Sequence, residues 1–289
     1  MVTTFKAFLE GQGKSKGTVK HYHSYIIDFL GWLDKDNTEA ENATAKEVLS
    51  YLNELQKRGQ ENQTRSIRLS VIKQFFSWQI DQGQRADNPI QHLKIRGIKK
   101  QKLYPILDKQ QLESLYNEYP IPTETDEQSN RNWFTTYKLS RQRNKTIINL
   151  LIHQGLTTPE IERLTMNDLK LKEGSIYITG SRMSNERTLE LKSSQIMELM
   201  EYTYQVRKEL LSYQADKSTE QLFLPVPPAG RSQSYPNTLS IWKGITRELK
   251  EQQRCFINFR QVRTSVITHW LKQYNLREVQ QMAGHRYVS

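Results

Sequence analysis

Large apolar residues recur at three- and four-residue steps through the N-terminal third of the chain. In "SKGTVKHYHSYIIDFLGWL", Val19, Tyr22, Ile26, Phe29, Leu30 and Leu33 fall on one face of a helix, with Thr18 as its N-cap or a first-turn residue. "TAKEVLSYLNELQKRG" predicts a second helix, capped by Thr44, ended by Gly59 and buried through Val48, Tyr51, Leu52 and Leu55. A third, "TRSIRLSVIKQFFSWQIDQG", is expected to bury Ile67, Val71, Ile72, Phe75 and Trp78 and to leave Arg65, Arg68 and Lys73 on the opposite face. "DNPI" ends this pattern, because proline keeps the residue before it out of the helical region.

The following stretch, "KIRGIKKQKLYPIL", carries Lys94, Arg96, Lys99, Lys100 and Lys102 with one glycine and one proline. A helical unit followed by a basic, turn-prone strap reads as a domain boundary. The expected division is a helical domain over 1–98, a linker over 99–107 and a second domain over 108–289. A polar insertion, "PIPTETDEQSNRN", lies early in the second domain.

That domain opens with helical patterns in "DKQQLESLYNEY" and "SRQRNKTIINLLIHQG", the latter burying Ile147, Ile148, Leu151 and Ile152 and stopping at Gly155. "TTPEIERL" predicts another helix, with Thr158 as N-cap and Pro159 at the first position. The period then drops toward two. "SIYITG" and "RTLELK" read as strands of a hairpin whose tip, "SRMSNE", is polar and cationic. Helical patterns return in "SSQIMELMEYTYQVRKELL", "YPNTLSIWKGITRELKEQ", "FRQVRTSVITHWLKQYN" and "LREVQQMAGH". The fold class is therefore mainly α with a small β-hairpin or sheet.

Charge adds a partner to this picture. Lysine and arginine outnumber the acids 42 to 31, giving a net charge of +11, which favours a polyanion such as nucleic acid. A single cysteine, Cys255, rules out an internal disulfide and a thiolate-rich metal site, favours a reducing compartment, and reads as a small buried hydrophobe. The histidines are scattered and suggest no metal site. No run of about eighteen apolar residues and no secretory leader pattern is present, so a cytoplasmic protein, in a bacterial cytosol, is expected, without a membrane partner.

The C-terminal stretch carries the chemistry. It holds Arg260-Gln261-Val262-Arg263, Thr268-His269-Trp270-Leu271 and Val279-Gln280-Gln281-Met282-Ala283-Gly284-His285 in one register. This resembles the second box of the tyrosine recombinase, or phage integrase, family. Upstream, "HQGLTTPEIERLTMNDLKL" is similar to the family's first box at Gly155, Leu156, Glu160, Ile161, Leu164 and Asp168. "TVKHYHSYIIDFLGWL" and "DNPI" resemble its core-binding domain.

The resemblance implies a helical core-binding domain and a catalytic domain that clamp duplex DNA, with homo-oligomers forming on it. It also implies a site-specific recombinase of a mobile genetic element. In such enzymes a tyrosine attacks the scissile phosphate and leaves a 3′ phosphotyrosyl link, and no cofactor or metal takes part. Arginine suits the phosphorane-like transition state because its fork of donors matches two oxygens and stays charged. Carried over by position, Arg263 is the second family arginine and His285 the late histidine, with Arg260 where the family has a histidine. The hairpin lysine that serves as general acid falls near Ser181 or Arg182, and arginine, which keeps its proton at any working pH, is poorly suited to that task. Lys16, Lys20, Arg65, Arg68, Lys73 and the strap arginine Arg96, after Ile95, are the expected DNA contacts of the first domain.

Two departures stand out. Thr157 occupies the place of the first family arginine, and a hydroxyl supplies no charge. The family's nucleophilic tyrosine lies two to three helical turns past the late histidine, beyond Ser289, and Tyr287 is too close to take its place. Arg260, and after it Arg182, are the expected substitutes for the charge missing at Thr157. The alternative to a recombinase is a relative on the same fold that binds DNA without cutting it, as an accessory or regulatory protein. A basic helical transcription regulator is a further alternative, against which the clustered phosphate ligands argue.

Overall fold

The computed structural model describes residues 2–98, 103–123, 125–126, 130–227, 238–253 and 257–287. Cys255 lies outside them, as do Lys99, Lys100 and Lys102 and parts of the polar insertion. The chain divides into two compact units, Met1–Leu103 and Tyr104–Ser289.

Among its described residues the first unit is built on the α-helices α1 (Val2–Gly11), α2 (Lys16–Leu33), α3 (Ala45–Lys57) and α4 (Asn62–Asp81). Thr44 caps α3 as expected, in a reciprocal box with Glu47. Of the two places open to Thr18, N-cap or first turn, it takes the first turn: Ser15 is the cap, its Oγ accepting from the Thr18 backbone N–H. Phe5 and Leu9 of α1, a helix the apolar pattern did not announce, are fully buried. Phe5 meets Phe75 edge-on at 5.2 Å between centroids, and Phe29 meets Tyr51 at 5.1 Å.

Val71, Ile72, Phe75 and Trp78 of α4 are buried as expected, and the departures lie in its first two turns. Ile67 is exposed, while Arg65 is buried and donates to Asn62 Oδ1 at 3.0 Å. Arg68 reaches Asp28 and the Tyr51 hydroxyl. Lys73 donates to the carbonyls of Gln91 at 2.8 Å and Leu93 at 2.6 Å. All three cations therefore hold the unit together, whereas Lys16, Lys20 and Arg96 are exposed.

The second unit is arranged around α6 (Phe134–Gln154). From Arg143 to Ile152 nearly every side chain of α6 is buried, so this helix is covered on all sides rather than on one stripe. Around it lie α5 (Lys109–Asn117), α7 (Thr158–Arg163), α8 (Ser193–Glu201), a π-helical turn at Tyr202–Val206, α9 (Arg207–Ser212), α10 (Leu239–Gln253), α11 (Phe259–Trp270) and α12 (Leu276–Ala283). Pro105 and Leu107, inside the expected linker, are bonded to α11: Gln261 Nε2 donates to the Pro105 carbonyl at 3.0 Å and the Leu107 N–H to Ser265 Oγ at 2.9 Å.

Among the described residues the sheet has three antiparallel strands in sequence order, β1 (Leu169–Lys170), β2 (Ser175–Ile178) and β3 (Arg187–Glu190). The two-residue β1 was not anticipated, being too short to show a period. In β2 and β3 the register pairs Ile176 with Leu189 and Ile178 with Arg187. Burial alternates along β3, so Arg187 shares the inward face with Leu189.

Candidate phosphate-binding site

Three element ends meet at this site, and two of them need a left-handed residue. α6 ends at Gly155 with φ of 54°, where a Cβ would stand 3.3 Å from both Trp270 and Val266. The turn delivers Thr157, which caps α7 in a reciprocal box with Glu160; the expected cap, Thr158, is the first helical residue instead. α12 ends at Gly284, with φ of 69°, and hands the chain to His285.

Glu160 is the hub. Its side chain is only 2% exposed, yet it accepts from the Thr157 N–H and Oγ1, each at 2.8 Å, and from Arg187 Nη1 at 2.7 Å. Arg263 Nη1 stands 3.7 Å from its other side. Burial by itself would raise this carboxyl; the Arg187 hydrogen bond and charge, with the Thr157 bonds, outweigh it and hold Glu160 below the ordinary carboxylate range.

Arg263, one turn past Arg260 on α11, threads between the helix ends. It donates to the Gly155 carbonyl, and its Nη2 donates to the Ala283 carbonyl at 2.7 Å. A cation is favoured at both carbonyl-rich C-termini. Arg263 also lines a cleft of about 510 Å³, together with Thr157, Arg260, Thr264 and His285. Burial pushes the Arg263 guanidinium below its usual value, with Glu160 opposing and Arg187 adding to the shift.

His285 stands at the mouth, exposed at its side chain but anchored by its backbone: its N–H donates to the Gln280 carbonyl at 3.0 Å. Partial burial, then the charges of Arg263 and Arg187, push its imidazole below the ordinary value. It is therefore neutral at neutral pH and can donate or accept. The hairpin tip is stitched to the same segment. Asn185 N–H donates to the Gly284 carbonyl at 2.9 Å, Ser184 bridges to His285, and Arg286 Nη2 reaches the Ser181 carbonyl at 2.8 Å.

Of the four site residues expected from sequence, Arg260, Arg263 and His285 line one cleft, and Arg182 stands exposed on the hairpin tip outside its lining. Two further groups, Glu160 and Arg187, complete the cluster. The sequence carried a signal for each: Glu160 stands three residues after Thr157, the spacing of a capping box, and the alternation of "RTLE" turns Arg187 inward with Leu189. Among the described residues no group of His, Cys, Asp or Glu side chains could hold a metal ion, and no helix is long and apolar enough to cross a membrane.

The chain spans most of several known recombinases. It is 21% identical over 290 residues to tyrosine recombinase XerA of Thermococcus kodakarensis, covering 100% of this chain and 88% of that protein. Tyrosine recombinase XerD of Oceanobacillus iheyensis is 27% identical over 281 residues, covering 96% and 86%. The fold is that of a lambda integrase dimer bound to a COC′ core site, with a TM-score of 0.67 at 16% identity over 100% of this chain and 74% of that one. The Tn1549 transposon integrase in complex with circular intermediate DNA gives a TM-score of 0.62 at 14% identity, covering 99% and 92%. Residues 2–83 match the N-terminal SAM-like domain of phage integrases and residues 106–289 the phage integrase family itself. The chain belongs to the phage integrase family of tyrosine recombinases.

Proposed function

We propose that the cleft holds a scissile phosphodiester of duplex DNA and that the intact gene product cuts and rejoins DNA through a 3′ phosphotyrosyl link, acting as an oligomer on its site. The observation that carries this reading is the convergence of Arg260, Arg263 and His285 on one cleft above the buried Glu160. In the reaction a tyrosine oxygen bonds to phosphorus, the bond to the 5′ oxygen breaks, and that oxygen leaves with a proton. Arg263 is pre-oriented by two carbonyls and a carboxylate, so it meets the extra negative charge of the transition state without reorganising. His285, at the mouth of the cleft, supplies a hydrogen bond to the same phosphate. We further assign the protein to a mobile genetic element, a setting that inverted repeats flanking its gene would support and their absence would oppose.

The test is a covalent one. Incubating the intact gene product with a pool of random duplexes, digesting the DNA and analysing the protein by mass spectrometry should reveal a nucleotide on tyrosine. Arg263→Ala should abolish this adduct, by at least about a hundredfold, while much of the DNA affinity survives because it is spread over many phosphates. Undiminished adduct in Arg263→Ala would sink the proposal. One observation favours a second reading: Thr157, at the family's first arginine, spends its hydroxyl on Glu160 and adds no cation. A protein that binds duplex tightly yet never yields an adduct fits that reading, an accessory DNA-binding role.

A further inference from the structure

Among the described residues the cluster beneath the cleft holds one carboxylate and two arginines, so its charge does not balance. Arg187 is the unexplained member. Its side chain is 2% exposed, its Nη1 is bonded to Glu160 Oε1 at 2.7 Å, and its Nε and Nη2 have no hydrogen-bond partner among the described residues. An arginine left partly unpaired in the interior is costly unless something compensates it, because desolvation of the guanidinium is not repaid. Gly284 is shaped around it: a Cβ there would lie 2.5 Å from Arg187 Nη1. The glycine that ends α12 and positions His285 is thus also the residue that makes room for this guanidinium.

The geometry points to Arg187 as a positioning residue of the phosphate site, fixing Arg263 through their shared carboxylate and adding the positive field that Thr157 does not supply. This inference rests on the reading of the cleft as a phosphate site. Glu160 divides its two oxygens, Oε1 to Arg187 and Oε2 to Thr157 and Arg263. Removing Arg187 frees Oε1 and lets the carboxylate turn fully toward Arg263, neutralising the charge that the cleft presents to an anion. With Arg187 in place Glu160 is already satisfied, and the pair of arginines keeps a net positive charge beneath His285. The same charge is felt at His285, whose imidazole is pushed down in part by Arg187.

The experiment is a titration of the whole chain with inorganic phosphate, read at the His285 ring signals by NMR and assigned with His285→Gln. Wild type should show a saturable shift. Arg187→Met should weaken phosphate affinity about tenfold, Arg187→Lys should restore most of it, and Arg263→Met should abolish it. Unchanged affinity in folded Arg187→Met would overturn the inference, giving Arg187 a purely structural part. If Arg187→Met does not fold, the paired variant Arg187→Met/Glu160→Gln removes the buried ion pair as a unit. Because the pair also removes the carboxylate that would neutralise Arg263, it is compared with Glu160→Gln alone: phosphate affinity lower in the pair than in that single variant supports the inference, and equal affinity overturns it. Loss of the response in Arg263→Met with full retention in Arg187→Met removes the inference alone. Absence of a saturable response in wild type removes the reading of the cleft as well.

Discussion

Glu160 shows how much a single side chain can be asked to hold. It caps α7, receives Arg187 and faces Arg263, all from a position nearly sealed from water. Glu160→Gln keeps the shape and removes the charge, leaving two buried arginines facing a neutral amide. Breaking a buried pair in this way typically costs roughly 3–5 kcal/mol, so the variant should melt well below wild type by calorimetry. The pH dependence has a definite sign. Because the folded-state value of Glu160 is depressed, its stabilisation is present above the unfolded carboxylate value and is lost as pH falls through the folded one. The gap between wild type and Glu160→Gln should therefore close as the solution is acidified below about pH 4. A gap that stays constant down to strongly acid pH would mean that Glu160 is not ionised in the fold. Most of this centre could be read before the fold was known: Arg260, Arg263 and His285 share a register that a helix and its successor bring to one cleft. Arg187 could not be picked out by motif, since a lone arginine after a polar turn resembles any hairpin cation until β-alternation is applied to it.

At the scale of elements, the helices with clean stripes were legible and those without were not. α3 has its cap, its stripe and its stop in the sequence, and all three are where they were expected. α4 is legible at Val71, Ile72, Phe75 and Trp78 and harder near its start, where Arg65 is buried and bonded to Asn62 while Ile67 faces water. α1 rests on Phe5 and Leu9, too few positions for a period to declare itself. Near the C-terminal end of α6, His153 is packed against the start of α8, with Lys192 Nζ 3.2 Å from its Nδ1. Burial, then the Lys192 charge, push His153 down to about 4. The unfolded histidine takes up a proton near pH 6.5 and the folded one resists it, so stability should fall as pH drops from about 6.5 to about 4 and no further on this account. His153→Gln should flatten that part of the curve of melting temperature against pH. A curve as steep as wild type between pH 6.5 and 5 would show that other groups set it.

For the whole molecule, two separate cores and a distributed charge govern the expected behaviour on DNA. Each unit has its own buried cluster, aromatic in the first and built on α6 and the sheet in the second. The net charge of +11 is shared almost evenly between the two units. Cations at many positions release counterions from many phosphates, so binding of duplex DNA should weaken steeply with salt, by a slope of about −0.9 in log affinity against log salt for each phosphate neutralised. Not every cation counts toward that slope. Arg65, Arg68 and Lys73 are spent on Asn62, Asp28, Tyr51 and backbone carbonyls, which leaves exposed groups such as Lys16, Lys20 and Arg96 as the first unit's contribution. Fragments 1–103 and 104–289, each checked for cooperative melting, should bind duplex with slopes that add up to roughly that of the whole chain. The triple variant Lys16→Gln, Lys20→Gln, Arg96→Gln should lower the whole chain's slope by about 2 to 3, whereas Arg68→Gln should lower stability and leave the slope unchanged. A whole-chain slope equal to that of 104–289 alone would mean that the first unit does not contact the backbone, and a reduced slope for folded Arg68→Gln would mean that its bond to Asp28 opens on DNA.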